Sequence, residues 1–108
     1  MPKPFVPNAG DTVWLNFTPQ AGHRPALVLS PGAYNDKTSL MICCPLTTQI
    51  KNYPFEVFIG GTPPNAVLAD QVKSLDWRAR KATRIGAIPE EIVTEVVRRL
   101  QTLLAVHG

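Results

Sequence analysis

The sequence predicts a mainly β fold of the α+β class, in which short strands form a small barrel or half-barrel and an amphipathic helix follows at the C-terminus. Three observations support this prediction. The chain has 108 residues, enough for one domain spanning residues 1–108. Short apolar runs separated by turn residues fill most of it, and only the last segment has helical periodicity. Its content of 44% hydrophobic and 18% charged residues is typical of a folded globular protein.

Six segments are predicted to be strands because their apolar residues alternate or form short runs between turn residues. They are Thr12–Phe17, Ala26–Ser30, Leu40–Cys44, Phe55–Ile59, Ala66–Val72 and Ala82–Ile88. The connecting segments Thr18–Pro25, Pro31–Ser39 and Gly60–Asn65 contain Gly, Pro, Asn or Asp. These residue types favour turns, so we predict a loop and two turn regions there.

The C-terminal segment has apolar residues at the spacing of one helix face. They are Ile92, Val93, Val96, Val97, Leu100, Leu103 and Leu104. Pro89 suits a first helical turn, and Glu90 and Glu91 complement the positive end of the helix dipole. The pattern predicts a helix of about five turns.

The net charge of +3 is weak evidence for a polyanionic partner, and the clustering of the charges says more. Arg78, Arg80, Lys81 and Arg84 fall within seven residues, and Lys73 lies just upstream. Such a run is either a solvated face or a phosphate-binding patch, and the spacing favours neither.

Cysteine usage and hydropathy bear on redox chemistry, metals and membranes. Cys43 and Cys44 are adjacent, so in a strand they point to opposite faces and an intramolecular disulfide is not expected. No Cys/His cluster has metal-ligand spacing, so no metal or other cofactor is predicted. A signal-like segment and a run of about 18 apolar residues are both absent, which predicts a cytoplasmic protein without membrane contact.

Two polar clusters carry groups that suit phosphate chemistry. The segment Gln20–Pro25 contains His23, which can titrate near neutral pH, and Arg24, whose planar fork of donors suits a phosphate. The segment Pro45–Gln49 contains two adjacent threonines that could donate to phosphate oxygens. By themselves these patterns are weak, because a His–Arg pair in a loop is more often solvated and threonines often simply end a strand. Spacing alone does not show that the two clusters meet.

The order of several sequence blocks is more specific. Ala21–Gly22–His23–Arg24–Pro25–Ala26, followed by Val28–Leu29–Ser30–Pro31, resembles a signature of the MazF/PemK (Kid) family of toxins. Further matching blocks follow in order from about Phe5 to Leu104. They include Gly10–Asp11 with Trp14, Tyr34–Asn35, Cys44–Pro45 with Thr47–Thr48–Gln49, Lys51, Tyr53–Pro54–Phe55–Glu56–Val57, Ala69–Asp70–Gln71–Val72–Lys73–Ser74 and Trp77–Arg78–Ala79–Arg80. The Gly22–Pro25 and Ala69–Ser74 blocks are the most specific.

The resemblance implies an SH3-like barrel with a C-terminal helix, assembled as a homodimer. It also implies the toxin of a type II toxin–antitoxin system, a metal-independent and sequence-selective endoribonuclease that cuts single-stranded mRNA and so inhibits translation. The products would carry a 5′-hydroxyl and a 2′,3′-cyclic phosphate or 3′-phosphate. The implied partner is an antitoxin whose flexible, acidic C-terminal segment blocks the RNA groove. The family's catalytic arginine and threonine map onto Arg24 and Thr47.

A guanidinium group loses its proton only above about pH 12, so we expect Arg24 to act as an electrostatic clamp on phosphorus and Thr47 to donate a hydrogen bond. His23 is a candidate for proton transfer. The residues predicted to bind RNA are Trp14, Thr48, Gln49, Lys51, Gln71, Lys73, Arg78 and Arg80. For Trp77 we favour packing over base stacking, whereas for Trp14 the two roles are equally open.

The chain also departs from the family in one loop, and two other functions remain open. The loop before Gln20 is shorter than in a related member of the family and lacks an acidic residue found there, so RNA access and base preference could differ. One alternative is a non-catalytic toxin with the same barrel that binds a protein such as DNA gyrase. The other is an inactive relative that persists as a structural dimer, and the presence of both Arg24 and Thr47 argues against it.

Overall fold

A computed structural model describes residues 4–16 and 22–105, and in these ranges the chain forms seven strands and two helices. In chain order they are β1 (Asp11–Asn16), β2 (His23–Val28), α1 (Gly32–Thr38), β3 (Leu40–Thr47), β4 (Glu56–Gly60), β5 (Asn65–Leu68), β6 (Lys73–Asp76), β7 (Thr83–Ala87) and α2 (Glu90–Gln101). The predicted mainly β fold with a C-terminal helix is confirmed. The predicted end of the first strand, Phe17, and most of the loop that follows lie outside the described residues.

The sheet is organised around β3. One edge of β3 pairs with β2, while along the other edge its first half pairs with β6 and its last residues pair with β5. All these pairings are antiparallel, and the order of the strands is β4-β5-β3-β2-β1-β7, with β6 beside β3. Because one edge of β3 serves two partners in succession, the strands form the half-barrel that the sequence predicts.

Both faces of β2 and β3 are covered, and consecutive residues point into different hydrophobic clusters. Cys43 packs in one cluster with residues of β1 and Trp77, whereas Cys44 packs in a second cluster with Val67 and with Val96 of α2. The two thiols are free, as predicted from their alternation. Burial raises the pKa of Cys43 to about 11 and that of Cys44 to about 12, so both stay protonated and unreactive at neutral pH.

The prediction of a turn region over Pro31–Ser39 is wrong, because this segment contains α1. Asn35 is fully buried there, and its side-chain amide donates to the carbonyl oxygens of Pro7 (2.7 Å) and Ser30 (3.0 Å). The first of these bonds reaches a residue 28 positions away, and together they stabilise a helix that local residue preferences do not favour. Ser39 then ends the helix in the left-handed conformation.

Three predicted strand limits also need correction. Arg24 was assigned to a loop, but β2 begins at His23 because residues 23–27 pair with β1. The third strand does not end before Pro45, since β3 continues to Thr47 by pairing with β5. The extended segment that was predicted to reach Val72 ends at Leu68, where a turn precedes β6.

The C-terminal helix is shorter than predicted. α2 has 12 residues, about three turns rather than five, and its apolar side packs on the sheet through Val96. After Gln101 the backbone tightens, with hydrogen bonds from the Leu103 and Thr102 amides to carbonyls three residues earlier. Leu103 and Leu104 lie in this turn and are about half exposed (51% and 54%), so the core does not extend far enough to continue the helix. In the described ranges no helix is long and apolar enough to cross a membrane.

Candidate active site

The pairing of β2 with β3 brings the two polar clusters of the sequence together. Ala26 lies opposite Pro45, and Leu27 lies opposite Cys44. Extending this antiparallel register by two residues places Arg24 opposite Thr47, and the period of two puts both on the face that Ala26 and Pro45 share. Sequence spacing could not show this meeting, because Arg24 and Thr47 are 23 positions apart and their proximity depends on how β2 and β3 align.

Arg24 and Thr47 line an open depression with a volume of about 630 Å³. Besides this pair, four residues of the predicted site line it: Trp14, His23, Thr48 and Gln49. The remaining lining residues are Thr12, Pro25, Leu46, Pro63, Asn65 and Ile85. Trp14 is 42% exposed, which leaves its ring accessible from this depression. The structure therefore places six of the predicted site residues in one location.

A second depression, of about 470 Å³, continues from the first. Three residues, Arg24, Thr47 and Gln49, line both depressions. The second is completed by Lys51, Tyr53, Glu56, Leu68 and Gln71, of which Lys51 and Gln71 belong to the predicted site. We call the two together the groove. Arg24 and Thr47 lie at its centre because they belong to both halves.

The polar groups at the centre of the groove are available to a ligand. The amide of Gln49 donates to Thr47 Oγ1 (3.0 Å), which fixes the hydroxyl oxygen and leaves its proton able to donate. Arg24 is exposed, and within residues 4–16 and 22–105 its guanidinium makes no hydrogen bond or ion pair. A fixed hydroxyl next to an uncommitted guanidinium is suited to binding a phosphate group.

The far wall of the groove is a short segment, Lys51–Glu56, that is folded around one carboxylate. The Glu56 carboxylate accepts hydrogen bonds from the backbone amides of Lys51 (3.0 and 3.1 Å) and Tyr53 (3.1 Å). The hydroxyl of Tyr53 donates to Asp70 Oδ2, and its ring packs at 5.8 Å from that of Phe55. The Lys51 side chain and 38% of Tyr53 remain exposed.

The predicted RNA-binding residues Lys73, Arg78 and Arg80 have other contacts in the structure. The Arg78 guanidinium forms an ion pair with Asp36 at 2.8 Å and lies 4.2 Å from the centre of the Trp77 ring. Arg80 donates to the backbone carbonyl of Asn16 at 3.1 Å. Lys73 lies on β6, opposite Cys43 of β3. None of the three is among the groove-lining residues, so their predicted contact with RNA stays a prediction.

The turn that carries this basic segment is held by Asp76. Its carboxylate accepts hydrogen bonds from the amides of Ala79 (3.0 Å) and Arg78 (3.1 Å) and from the Ser39 hydroxyl (2.9 Å). These donors lower the pKa of Asp76.

Trp77 is only 6% exposed and its indole nitrogen donates to the Asn35 carbonyl at 2.8 Å, so the packing role that we favoured for Trp77 is confirmed.

Tyr53 and Glu56 are the most informative groove residues that our sequence-based site assignment omitted. Both belong to the block that follows Lys51, and an exposed aromatic residue beside a lysine is a signal for nucleic acid that could have been used. Glu56 gave no such signal, because its role depends on backbone amides that point at it. Within the described ranges, no three His, Cys, Asp or Glu residues cluster as metal ligands would.

The groove and fold agree with a family assignment. Residues 8–104 match the family model described as the PemK-like, MazF-like toxin of type II toxin–antitoxin systems. This match covers well over half of the chain, and the chain therefore belongs to that family. The resemblance recognised from the sequence blocks is confirmed.

Named relatives and solved structures support the assignment. The chain is 55% identical over 95 residues to the endoribonuclease toxin MazF of Escherichia coli K12, covering 82% of this chain and 86% of the relative. It is 34% identical to the Escherichia coli endoribonuclease PemK, covering 85% and 78%. A chain of the MazE–MazF crystal structure (form II) from Deinococcus radiodurans superposes with a TM-score of 0.86 at 47% identity, covering 96% of this chain and 100% of that one.

Proposed function

We propose that this chain is an endoribonuclease toxin that cleaves single-stranded RNA in the groove. The observation that carries the proposal is the meeting of Arg24 and Thr47 at the centre, where the two halves of the groove join. The scissile phosphate of a bound RNA would lie at this pair, and the RNA on its two sides would lie in the two depressions. The relatives named as endoribonucleases favour cleavage over the alternative of a toxin that binds gyrase.

The reaction is an internal transfer at phosphorus. The 2′-oxygen of the ribose attacks the adjacent phosphorus as its proton leaves, the bond from phosphorus to the 5′-oxygen breaks, and the departing oxygen takes up a proton. The products are a 2′,3′-cyclic phosphate and a 5′-hydroxyl, and later addition of water converts the cyclic phosphate to a 3′-phosphate. Because the substrate supplies the nucleophile, the protein has to stabilise charge and move protons.

Arg24 and Thr47 have the groups for charge stabilisation. The Arg24 guanidinium is a positive charge with several donors in a planar fork, which suits the crowded phosphate oxygens. Thr47 adds a neutral donor whose oxygen is already held by the Gln49 amide. Both interactions strengthen as negative charge grows on the phosphate oxygens, which is the requirement for accelerating the reaction.

His23 is our candidate for proton transfer. It lines the same depression as Arg24 and Thr47, at the first residue of β2, and it is exposed. An imidazole can accept and donate protons near neutral pH, which neither of the two central residues does readily. The flanking residues Trp14, Thr48, Gln49, Lys51 and Gln71 would bind the bases and phosphates on either side.

A cognate antitoxin would regulate the chain at the same groove. An acidic, flexible C-terminal segment of a cognate antitoxin would compete with RNA for Arg24, His23 and Lys51, since both ligands are anionic and extended. A similar chain from Deinococcus radiodurans is part of a crystal structure of MazE with MazF. We propose in addition that the chain acts as a homodimer in the cytoplasm, where mRNA is its substrate.

A cleavage assay tests the proposal. Purified protein is incubated with a long RNA in the presence of EDTA, and the RNA is examined for discrete fragments with 5′-hydroxyl ends. Discrete fragments are expected from the unaltered chain and none from Arg24→Ala. Activity that EDTA abolishes and magnesium restores would refute the metal-free mechanism, and intact RNA in all conditions would favour an inactive or protein-binding toxin.

A further inference from the structure

The C-terminal helix contacts the backbone of the groove wall through one arginine. Arg99 Nη1 donates to the carbonyl oxygens of Pro54 (2.7 Å) and Glu56 (2.9 Å). The Nε atom of the same guanidinium donates to Glu95 Oε1 at 2.8 Å, one helical turn earlier. One side chain therefore ties the wall segment Lys51–Glu56 to α2, and Arg99 is not among the residues that line the groove.

We propose that Arg99 is a positioning residue for RNA binding: it fixes the wall segment so that Lys51 and Tyr53 face the RNA in the second half of the groove. The proposal rests on the function proposed above. It assigns Tyr53 as a stacking surface for one base and Lys51 as a phosphate contact. Arg99 itself does not touch the RNA, because it reaches the wall only through backbone carbonyls.

The wall segment needs such support because it contains no regular secondary structure before Glu56. Its amides at Lys51 and Tyr53 bond to the Glu56 carboxylate, so the segment is closed on itself around a residue that belongs to β4. Arg99 donates to two carbonyls of the same segment. Pro54 has no amide proton, so its own backbone nitrogen cannot donate a hydrogen bond that would fix the turn. With the carbonyls released, the turn could rotate and move both RNA-facing side chains.

The ring of Tyr53 is suited to stacking because it is held at several points. Its hydroxyl donates to Asp70, and its ring packs against Phe55, whereas 38% of the residue remains exposed. Aromatic side chains in nucleic-acid grooves stack on bases when one face is open and the ring is fixed beforehand, since little entropy is then lost on binding.

Arg98 offers a matched control for Arg99. The two arginines are neighbours, carry the same charge and both bond to the Glu95 carboxylate, at 2.6 Å for Arg98 Nη2 and 2.8 Å for Arg99 Nε. Within the described ranges Arg98 makes no hydrogen bond or ion pair with the wall segment, and its side chain is 67% exposed. A comparison of the two therefore separates positioning of the wall from loss of a helix ion pair or of net charge.

The experiment is single-turnover cleavage of a short RNA that the unaltered protein cuts once, measured over a range of protein concentrations. We expect Arg99→Ala to raise the half-saturating protein concentration by about tenfold, as when one base loses its stacking surface. The maximal rate should change by less than about twofold, because Arg24 and Thr47 are untouched. Arg98→Ala should leave both quantities near those of the unaltered chain.

A double-substitution cycle tests whether Arg99 acts through Tyr53. If it does, the combined Tyr53→Ala and Arg99→Ala substitutions weaken binding by much less than the product of the two single effects. The proposal would be overturned if the double variant lost as much binding as the product of the two single losses. It would also be overturned if Arg99→Ala bound RNA as well as Arg98→Ala does. If Arg99→Ala does not fold, Arg99→Lys against Arg98→Lys carries the same test. Loss of cleavage in Arg24→Ala in the same assay keeps the proposed function separate from this result.

Discussion

Arg24 and Arg78 are both exposed arginines, and both were assigned to RNA, but their side chains are in different states. The Arg78 guanidinium is engaged within the chain by Asp36 at 2.8 Å and by the Trp77 ring at 4.2 Å. The Arg24 guanidinium has no hydrogen bond or ion pair within the described ranges and lies at the centre of the groove. An arginine that already has a carboxylate and an aromatic partner must lose them to bind a phosphate, whereas Arg24 has no such partner among residues 4–16 and 22–105 to lose.

The difference shows that positive charge in the sequence is a poor guide to where an anion binds. Four basic residues within seven positions mark the segment after β6 as the strongest charge cluster. The groove instead contains scattered cations from β2 and from the segment after β3. What distinguishes the site is that its donors are exposed and uncommitted, which only the folded structure shows.

The largest expected effect that tests this comparison is that of Arg24→Ala. Losing one preorganised donor at a developing negative charge costs roughly 10²–10³ in rate, and a charged donor can cost more. The free energy of unfolding should fall by at most about 0.5 kcal/mol, because the guanidinium makes no hydrogen bond or ion pair with the residues that the structure describes. Single-turnover cleavage of one short RNA measures the rate, with thermal melting and sizing as controls.

Arg24→Lys sharpens the same experiment. The ammonium group keeps the charge but not the planar fork of donors, so we expect poor recovery of the rate. If Arg24→Ala cleaves at nearly the unaltered rate, the assignment of the site is wrong. If the substitution unfolds the chain or disrupts its assembly, Arg24 is structural, and the catalytic group must be sought among His23, Thr48 and Gln71.

Thr47→Ala should have a smaller effect of the same kind. Removing the hydroxyl takes away one hydrogen-bond donor to a charged phosphate oxygen. It also removes the acceptor of the Gln49 amide. Together these losses should lower the cleavage rate by roughly tenfold or somewhat more. Thr47→Ser keeps the hydroxyl and should retain much of the activity. Equal loss in the two variants would show that the methyl group, and hence packing, is what matters at this position.

The salt dependence of RNA binding compares the two kinds of cation directly. Lys51→Ala should lower the slope of log affinity against log salt by about 0.7, the value for one phosphate contact on a single strand. Arg78→Ala is the comparison: an unchanged slope would mean that the guanidinium stays with Asp36 and Trp77 when RNA binds. In either case the free energy of unfolding should fall by about 1 kcal/mol or less. A lower slope for Arg78→Ala or Arg80→Ala would instead support their predicted role in RNA binding.

Most strands and the C-terminal helix could be predicted from the sequence because each has its own apolar pattern. α1 could not, since the residue that stabilises it, Asn35, bonds to the carbonyl of Pro7, 28 positions away. The end of α2 at Gln101 was missed because Leu103 and Leu104 fit the helical pattern but lie beyond the surface that the sheet offers. Apolar periodicity predicts the type of an element better than its length.

The site was predicted residue by residue but not as an arrangement. Arg24 and Thr47 came from a family pattern, and their proximity depends on the register of β2 with β3. The engagement of Arg78 depends on Asp36, which is 42 positions away in sequence. Both facts follow from strand pairing and packing between distant segments, which one sequence without structure does not determine.

The smallest expected effect concerns arginines that, like Arg78, are engaged within the chain. Hydrogen bonds from Arg98 and Arg99 lower the pKa of Glu95 from its usual 4.5 to about 2. A carboxylate whose pKa is lowered by folding stabilises the native state above its unfolded pKa, and this contribution disappears as the pH falls through the folded pKa.

Glu95→Gln should therefore lower the melting temperature slightly at pH 7. The difference from the unaltered chain should shrink between about pH 4.5 and pH 2 and vanish below, and high salt should reduce it at neutral pH because the pairs are partly exposed. Thermal melts of the two proteins across this range provide the measurement, with Glu91→Gln on the same helix as the control for loss of one negative charge. A difference that is the same at pH 7 and pH 2 would mean that Glu95 acts through packing, and that its arginines are less engaged than the structure indicates.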